Sequence, residues 1–504
     1  MDTPTPFIPG SPLLRAATEA CAARKTRAWL VGGSVRDALL GRAIHDLDIA
    51  VERDAIEAAR DAAARLNAPM YVLDAERDTA RVVTFDSAGV RVFLDFAGLR
   101  EATIEADLEK RDFTANAIAV DLAHPDQLID PFGGQRDLEA RLLRAVTDRS
   151  LLDDPVRMLR ALRQSIGLSF QIEPETRERL HESAHLIKGA SAERIRDELA
   201  QIVALPGLYR NLPLLNELGL LSELMPELLS MQGVAQSPPH HWDVFEHTLR
   251  MLDLLEVLLS RAAGIELQAR PAQTVATAPD SAWADIDQTI GPMQAALREH
   301  CEKSLSDERP AWLALKWAAI FHDVGKPATR SVDPDGRIRF FEHEEVGAKM
   351  LAERMRGLRF SSDEVHRAQT IVRHHMRPHH LMESGLTRRA MYRFFRDTGE
   401  AGVDVLLHSL ADHLATHGPD LDPDRWARRL ELTRAMLDEY FHRREETVNP
   451  PALISGHDVM DTLGLKPGPQ VGEVLEAVRE AQAAGEVRTR EEALALAGRM
   501  RDER

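Results

Sequence analysis

The segment LVGGSVRDALLGRAIHDLDIA, residues 30–50, constrains the fold more than any other part of the chain. Its two apolar ends are typical of short strands, and SVRDALL between them is typical of a short helix that Gly41 ends. A strand, a Gly-Gly turn, a helix and a second strand in so short a segment predict an α/β unit, with the turn at one edge of a sheet.

Two aspartates stand two residues apart on the second of these strands. Asp46-Leu47-Asp48-Ile49 alternates polar and apolar residues, so both carboxylates should share one face while Leu47 and Ile49 pack on the other. Neighbouring carboxylates repel each other and require a cation, for which magnesium is the natural choice. The pattern therefore predicts a Mg²⁺ site that supports attack by a hydroxyl and departure of pyrophosphate.

The turn before the helix supplies the other half of a nucleotide site. Gly32 and Gly33 expose backbone N–H groups at the helix N-terminus, and Arg36 adds a guanidinium for a triphosphate. The segment is neither a Walker A loop nor a dinucleotide fingerprint, because GK[ST] and GxGxxG are both missing. The alternative is a structural turn beside a solvated acidic strand end. Asp95, on a later strand, is either a third metal ligand or a structural hydrogen-bond acceptor.

The sequence DDPVRMLR, residues 153–160, predicts a helix start that can select a base. Pro155 suits the first helical turn, and Asp154 and Arg157 should lie side by side across that turn. An aspartate accepts from an exocyclic amine and an arginine donates to a ring acceptor, so such a pair suits cytosine and adenine but not guanine or uracil. The alternative is an ordinary helix cap followed by surface arginines.

Five motifs in order resemble those of the bacterial and eukaryotic type of tRNA nucleotidyltransferases and bacterial poly(A) polymerases. They are GGSVRDALLG with HDLD, LEKRDFTANAIAVD, IDPFGGQRDLEARLLRAV, DDPVRMLRALRQSIGLSF and SAERIRDEL. The resemblance implies that Asp46 and Asp48 are catalytic and bind magnesium, and Asp95 is the candidate for a third catalytic carboxylate. It also implies a set of nucleotide-binding residues, namely Gly32, Gly33, Arg36, Arg111, Asp112, Asn116, Asp154, Arg157 and Arg160.

Histidine is concentrated between His240 and His417. The order His247, His322-Asp323 and Asp412 resembles the HD phosphohydrolase superfamily, whose domain is all-helical and binds metal. His343, His374 and His375 stand where two-metal members carry further ligands. Mixed imidazole and carboxylate ligands suit Mn, Ni, Co, Fe or Mg, and the implied chemistry is metal-assisted hydrolysis of a phosphoester. The sequence leaves open whether this domain is catalytically active. Five other histidines, His379, His380, His408, His413 and His417, are expected to be core or surface residues.

The predicted fold class is α+β, with a polymerase-β-like nucleotidyltransferase head built on a mixed β-sheet and followed by all-helical neck, HD and tail domains. The predicted domains are the head (1–142), a neck that binds the base and RNA (143–236), the HD metal-binding domain (237–445) and a C-terminal RNA-binding module (446–504). Residues 27–31, 46–51, 80–85, 90–96 and 117–120 are predicted strands, with DSAG as a hairpin turn, and 34–40 and 54–66 are predicted helices. From about residue 154 the pattern is almost wholly helical, apart from a flexible insertion over 262–285.

Composition restricts the cellular compartment and the class of protein. Two cysteines, Cys21 and Cys301, form no disulfide framework and fit a reducing cytosol, and we expect neither a signal peptide nor a membrane span. The net charge of −18 counts against a protein that coats nucleic acid but not against an enzyme with a local basic strip.

The expected function is template-independent addition of C, A or both to the tRNA 3′ end from CTP and ATP, in the cytoplasm. The expected cofactors are Mg²⁺ in the head and a divalent transition metal, or Mg²⁺, in the HD domain. Two rivals remain: a poly(A) polymerase, and an HD hydrolase with a non-catalytic nucleotide-binding head. The oligomeric state stays open.

Overall fold

The computed structural model describes residues 11–44, 46–85, 89–266, 278–306 and 309–502. The chain forms two compact units. Unit 1 contains the chain up to Ser191 together with Glu217–Glu223, and unit 2 contains Ala192–Asn216 and the chain from Leu224 onward. The boundary falls within the predicted neck, and the division into four domains stays a prediction. Within the described ranges, no helix combines the length and the apolar character that crossing a membrane requires.

Unit 1 contains the elements of the predicted α/β region and the first neck helices. In chain order they are α1 (Pro12–Ala23), β1 (Ala28–Val31), α2 (Gly33–Leu39), β2 (Asp46–Val51), α3 (Ala55–Leu66), β3 (Met70–Asp74), β4 (Thr79–Phe85), β5 (Arg91–Gly98), α4 (Ile104–Glu109), β6 (Ala119–Asp121), β7 (Leu128–Ile129), α5 (Gly134–Glu139), β8 (Leu142–Leu143), α6 (Ser150–Asp153), α7 (Arg157–Leu168), β9 (Gln171–Ile172) and α8 (Pro174–Ser183).

A seven-stranded mixed sheet in the order β3-β4-β5-β2-β1-β6-β7 forms the centre of this unit. β2 and β5 are parallel, and the other neighbouring strands pair antiparallel. Leu47 and Ile49 of β2 are buried on one face, as predicted, in a core that includes the alanines of α3. Because alanine has no side chain beyond Cβ, α3 packs close to the sheet. Trp29 and Leu108 belong to the core of the opposite face.

The remaining elements are helical, apart from short paired strands. In chain order they are α9 (Ala192–Ala204), α10 (Leu208–Glu217), α11 (Leu220–Leu224), α12 (Pro226–Leu229), α13 (Val244–Ala262), α14 (Asp280–Thr289), α15 (Gln294–Glu302), β10 (Ser304–Ser306), β11 (Arg309–Pro310), α16 (Ala311–Phe321), α17 (Lys326–Thr329), β12 (Arg330–Val332), β13 (Ile338–Phe340), α18 (His343–Gly357), α19 (Ser362–His374), α20 (Arg377–Ser384), α21 (Arg388–Thr398), α22 (Ala401–His417), α23 (Pro423–His442), α24 (Gly456–Leu463), α25 (Pro469–Ala483) and α26 (Arg490–Asp502).

Four helices of unit 2, α13, α16, α19 and α22, pack against one another and form its central bundle. The sequence of α16, AWLALKWAAIF, is apolar almost all round, which is typical of a helix enclosed by neighbours. α22 is likewise buried along nearly its whole length. The last three helices, α24 to α26, surround a separate hydrophobic core.

The structure corrects several details of the predicted elements. The segment 262–285 was expected to be a flexible insertion, but its end belongs to α14, where Ala282 and Trp283 are buried. Residues 267–277 of that segment lie outside the described part of the chain, as do three of the four residues of the DSAG turn. The edge strand β3 was not predicted, and the helical region contains the short strand pairs β8–β9, β10–β11 and β12–β13. α7 begins at Arg157, after Pro155 rather than at it.

A buried ion pair joins two central helices of unit 2 to a neighbouring helix start. Lys316 on α16 is fully buried, and its Nζ lies 2.7 Å from Oε1 of Glu256 on α13 and 3.0 Å from the Leu205 carbonyl oxygen. Glu256 accepts hydrogen bonds from the N–H groups of Gly207 and Leu208. The carboxylate therefore satisfies free donors at the start of α10 while Lys316 balances its charge.

We expect Lys316→Met to lower the free energy of unfolding by about 3–5 kcal/mol, because it leaves the Glu256 charge buried without a cation. Urea denaturation followed by circular dichroism measures the loss. The matched control is Lys303→Met, which removes an exposed pair with Glu400 and should cost at most about 1 kcal/mol. If both variants lose the same free energy of unfolding, the buried pair stabilises this unit no more than the exposed pair does.

Candidate functional site

Three carboxylates lie together on β2 and β5, two adjacent central strands of the unit 1 sheet. Asp46 and Asp48 share a face of β2, and the parallel register places Asp95 of β5 opposite Asp48. Burial raises the pKa of Asp48; the charge of Arg111 opposes this rise, and Asp95 and Asp46 add to it. A bound divalent cation would relieve this repulsion, so the donor set fits magnesium.

Asp95 already has a cationic partner. Nε and Nη2 of Arg81, directly across from it on β4, each lie 2.7 Å from one Asp95 carboxylate oxygen. This bidentate pair agrees with the structural interpretation of Asp95. A role as third metal ligand, which stays a prediction, requires the carboxylate to turn at least one oxygen away from Arg81.

The turn before α2 is held tightly against β2. Ser34 Oγ donates to the Asp46 carbonyl at 2.8 Å and accepts from the Asp48 N–H at 2.9 Å. Gly32 has a φ of +71°, and a Cβ there would lie 2.7 Å from Arg111 Nη1 and 3.4 Å from Asp48 Oδ2. Only glycine therefore allows the turn, the arginine and the carboxylate to meet in this way.

A buried carboxylate connects the second motif to the neck helix. Arg160 Nε on α7 donates to Asp112 Oδ2 at 2.9 Å, and Asn116 Nδ2 donates to Asp112 Oδ1 at 2.8 Å. Burial alone would raise the pKa of Asp112, but the charge of Arg160 and these hydrogen bonds hold it below its usual value. Asp112 is thus an ionised residue that positions Arg160 and Asn116.

The same network orients Arg36. Its Nη1 donates to Asn116 Oδ1 at 2.8 Å and lies 3.4 Å from Gln164 Oε1, while Nη2 pairs with Asp37 at 2.8 Å. Gln164 also accepts from Asn116 Nδ2 at 3.0 Å. The guanidinium that the sequence assigned to a triphosphate is therefore fixed by side chains from three motifs.

These groups surround a cavity of about 440 Å³. Its lining residues are Gly32, Gly33, Ser34, Arg36, Asp37, Ala43, Ile44, Asp46, Asp48, Arg111, Asp112, Asn116, Arg160, Arg163 and Gln164. Sequence reasoning missed Ser34, Arg163 and Gln164 as site residues, although Ser34 directly follows the Gly-Gly pair and Gln164 shares a helix face with Arg157 and Arg160. Among the predicted residues, Asp95, Asp154 and Arg157 do not line this cavity.

Asp154 and Arg157 lie side by side as predicted, with Arg157 Nε 3.8 Å from Asp154 Oδ2. The Arg157 guanidinium is also bound to backbone. It donates to the carbonyls of Ser150 at 3.1 Å, Arg111 at 3.3 Å and Lys110 at 2.7 Å. Arg157 therefore joins α7 to the second motif in addition to any role it has in selecting a base.

Unit 2 contains the second candidate site, which consists of two adjoining groups of side chains that could bind a metal. His247 of α13, His322 after α16 and Asp412 of α22 form the first group, whose ligand atoms all lie within 4.8 Å of one another. His247 Nε2 lies 2.9 Å from Asp412 Oδ1. Two helices and the turn that follows a third supply these residues, which are far apart in sequence, as the HD pattern predicted.

Asp323, His343 and His375 form the second group, again with ligand atoms within 4.8 Å of one another. His343 Nε2 lies 3.3 Å from His375 Nε2 and 3.5 Å from Asp323 Oδ1. Asp323 Oδ2 lies 3.1 Å from His322 Nε2, so this carboxylate adjoins both groups. The arrangement suits one ion or two neighbouring ions.

The histidine tautomers favour metal binding. In His322, His343 and His375, Nδ1 lies 2.9, 2.8 and 2.6 Å from the carbonyl oxygen three residues earlier. A protonated Nδ1 that donates to this oxygen leaves the Nε2 lone pair available for a metal. Nε2 of His322 is buried, and Asp323 Oδ2 lies 3.1 Å from it. These residues fit a divalent ion with nitrogen and oxygen ligands.

Not every predicted histidine belongs to the cluster. His374 falls outside both groups, since it precedes His375 on the helix and points elsewhere. His408, expected to be a core or surface residue, is fully buried with its ring centroid 5.1 Å from that of His322. His240, which the sequence did not single out, packs its ring 5.3 Å from His247. From sequence alone, a single histidine beside the metal-binding groups cannot be distinguished from one that lies elsewhere in the core or on the surface.

A cavity of about 620 Å³ opens beside the cluster and contains Asp323, His343, His375 and Asp412 in its wall. Lys326 also lines it, with Nζ 2.7 Å from Asp323 Oδ2 and 2.7 Å from Gln236 Oε1. The lysine is therefore paired rather than solvated.

Four family models match successive parts of the chain. They are the poly A polymerase head domain over residues 28–144, the RNA and SrmB-binding site of polymerase A over 169–231, the HD domain over 295–417 and tRNA nucleotidyltransferase domain 2 over 425–497. The A-adding tRNA nucleotidyltransferase of Deinococcus radiodurans is 37% identical over 94% of this chain and 96% of its own. The chain belongs to the tRNA nucleotidyltransferase family. It is accordingly an enzyme of the nucleotidyltransferase type, with divalent metal dependence.

Other family members have related specificities. The CC-adding tRNA nucleotidyltransferase of Thermus thermophilus is 35% identical over 93% of this chain and 92% of its own. Among solved structures, a CCA-adding enzyme with CTP is 20% identical and superposes with a TM-score of 0.58, covering 96% of this chain and 93% of that one. The Thermotoga maritima CCA-adding enzyme complexed with tRNA gives a TM-score of 0.54 at 20% identity, covering 96% and 94%. These structures share the fold, which confirms the predicted class.

We expect Gly32→Ala to reduce nucleotide addition at least about tenfold, because the new Cβ displaces Arg111 from the carboxylates. The strained backbone should also lower stability by about 1–3 kcal/mol. The control is Gly41→Ala: its φ is +67° but nothing lies within 4 Å of the added Cβ, so it should lose similar stability and keep its activity. Steady-state addition assays and thermal denaturation of both variants check this. If the two variants have equal activities, nucleotide addition does not require the close approach of Gly32 to Arg111.

Proposed function

We propose that this enzyme adds C, A or both to the 3′ end of tRNA, using CTP or ATP and no nucleic-acid template. The observation that carries the proposal is the cavity in which Asp46 and Asp48 face Arg36, Arg111 and Arg160. It combines carboxylates for magnesium with cationic donors for a triphosphate. Full-length similarity to A-adding and CC-adding enzymes supports tRNA as the substrate.

Different residues of the cavity would bind the metal, orient the triphosphate and stabilise the transferred group. Asp46 and Asp48 would hold Mg²⁺, which activates an attacking hydroxyl and stabilises the departing pyrophosphate. The amides at the start of α2 and the side chain of Arg36 would orient the triphosphate. Arg111, next to Gly32 and Asp48, places a charge where negative charge develops on the transferred group.

Base selection is assigned to Asp154 and Arg157. Their adjacency supports the assignment, but three carbonyls already bind the Arg157 guanidinium. The pair can accept cytosine or adenine through the Asp154 carboxylate and a remaining guanidinium N–H. The neighbouring cavity residues Arg163 and Gln164, on the same helix, are further candidates for contacts with the nucleotide.

The rival functions differ in what they require of the head. A poly(A) polymerase would extend RNA beyond one to three nucleotides and would not need a tRNA. An HD hydrolase with a non-catalytic head would not need Asp46 and Asp48 on β2. We favour tRNA because an A-adding and a CC-adding tRNA enzyme resemble this chain over more than nine-tenths of its length and of their own. The predicted neck and C-terminal module would contact this RNA, and a cytosolic location stays a prediction.

For unit 2 we propose a metal-dependent phosphohydrolase site on His247, His322, Asp323 and Asp412, extended by His343 and His375. Manganese, nickel, cobalt, iron or magnesium suits these ligands. The fixed histidine tautomers and the adjoining cavity support the proposal, since together they offer lone pairs and room for a phosphoester.

The decisive experiment supplies tRNA lacking CCA, ending in C or ending in CC, each with one of the four nucleoside triphosphates. We expect incorporation from CTP, ATP or both and not from GTP or UTP, and the accepted tRNA end shows whether the enzyme is CC-adding, A-adding or CCA-adding. Asp46→Ala and Asp48→Ala should each reduce addition at least about 100-fold, because a lost metal ligand removes several kcal/mol of transition-state stabilisation. Glu52→Ala, at the exposed end beyond β2, is the matched control and should retain activity. Near-normal addition by either aspartate variant at saturating Mg²⁺ would refute the proposal.

The two sites should be separable. His322→Ala or Asp323→Ala should remove a tightly held transition metal, measured by elemental analysis, and abolish hydrolysis of phosphate monoesters or 2′,3′-cyclic phosphates. Addition to tRNA should persist in these variants, because the head cavity is unchanged. Asp48→Ala should show the reverse pattern. If folded His322→Ala protein loses nucleotide addition, the HD domain is part of the polymerase.

A further inference from the structure

Arg429 on α23 occupies an unusual position in the wall of the unit 2 cavity. Its side chain is 95% buried, since only 5% of its surface is exposed. Nη1 donates to Ser409 Oγ at 2.5 Å and lies 3.4 Å from the Ser409 carbonyl oxygen. Both partners are neutral, so they orient the guanidinium without balancing its charge.

No carboxylate lies within ion-pair distance of Arg429 among the residues that the structure describes. Its Nε is buried and has no hydrogen-bond partner there. Asp412, one turn after Ser409 on α22, favours the charged guanidinium through space, but burial outweighs this and lowers the pKa of Arg429 to about 10. Buried arginines are normally paired, because an isolated buried charge costs several kcal/mol. A buried, unbalanced cation in a cavity wall is a feature of a site for an anion.

Arg425 reinforces this feature. It lies one turn before Arg429 on α23, so the two side chains share a helix face, and both line the cavity. Arg425 is only half-buried and can move toward a ligand. His417, on the facing end of α22, has a lowered pKa because of burial and of the positive charges of Arg425 and Arg429. Two cations therefore act on the same region of the cavity.

We infer that Arg425 and Arg429 form an anion subsite beside the metal-binding groups, so that the natural ligand carries a second phosphate besides the one the metal site takes. This inference rests on the proposed hydrolase function of unit 2. The cavity volume of about 620 Å³ has room for a nucleotide with two phosphate groups. The subsite belongs to α23, whereas the HD domain match ends at residue 417. A helix beyond the matched HD segment thus adds to ligand selection.

The second phosphate has two possible sources, a free nucleotide and an RNA end with its adjoining phosphodiester. Both present phosphate oxyanions to the two arginines. Uridine probes are suitable for either source, because the proposed base selection in the head rejects uracil.

The test compares the affinities of uridine 3′,5′-bisphosphate and uridine 5′-monophosphate for the metal-loaded full-length protein by calorimetric titration. The wild type should prefer the bisphosphate by about 10-fold to 100-fold, the effect of one or two hydrogen bonds to a charged group. Arg425→Gln and Arg429→Gln should reduce this preference to within about twofold of unity. Arg429→Lys should keep part of it. A short uridine RNA with a 3′-phosphate, titrated in parallel, shows whether RNA ends are bound with the same dependence on the arginines.

Arg434→Gln is the matched control. It lies on the same helix, pairs with Glu431 near the surface and should leave the preference unchanged. If the Arg425 and Arg429 variants keep the wild-type preference, or the wild type shows none, the subsite does not exist. Should Arg429→Gln fail to fold, half-buried Arg425→Gln decides the result alone. Elemental analysis of each variant separates this outcome from failure of the hydrolase proposal, in which the wild type itself would hold no metal.

Discussion

The parallel pairing of β2 with β5 is the constraint on which the head depends. Its register puts Asp48 opposite Asp95 and turns Leu47 and Ile49 toward the alanines of α3. A shift of one residue would turn both aspartates of β2 into that apolar layer and expose the two apolar residues. Core packing and the position of these carboxylates are therefore fixed by the same register.

The two sites balance their charges differently. In the head, carboxylates on β2 face arginines, and a buried ionised Asp112 positions Arg160. In unit 2, backbone carbonyls orient imidazoles, so imidazole nitrogens meet Asp323 and Asp412 in a buried cluster. Magnesium is usually bound through one or two carboxylates together with substrate phosphates, whereas a cluster of imidazoles is organised before any substrate arrives. We therefore expect an ion in the head to bind together with the nucleotide, and an ion in unit 2 to bind the folded domain before any substrate.

Most strands and site residues of the head could be predicted from local sequence patterns. The elements that could not be predicted lack such a pattern for physical reasons. The alternation around Asp46 identifies the strand and its polar face because one face is buried. β3 gives no such signal, since Tyr71, Val72 and Leu73 are exposed on an edge strand and do not alternate. The HD ligands can be found as an ordered pattern, but the choice between His374 and His375 depends on how α19 ends. The guanidinium of Arg157 binds carbonyls of a distant motif, which no local pattern encodes.

Arginine content alone overstates the positive surface that this chain offers to RNA. In the basic segment between Arg136 and Arg163, Arg144 pairs with Asp137 and Glu173, and Arg160 pairs with Asp112. The exposed arginines of α21 similarly face glutamates of α25. With a screening length of about 10 Å at moderate salt, RNA responds to nearby charges more than to the net charge of −18. We therefore expect function to depend on a few guanidiniums held at cavity walls, such as the buried Arg429, which has no carboxylate within ion-pair distance among the described residues.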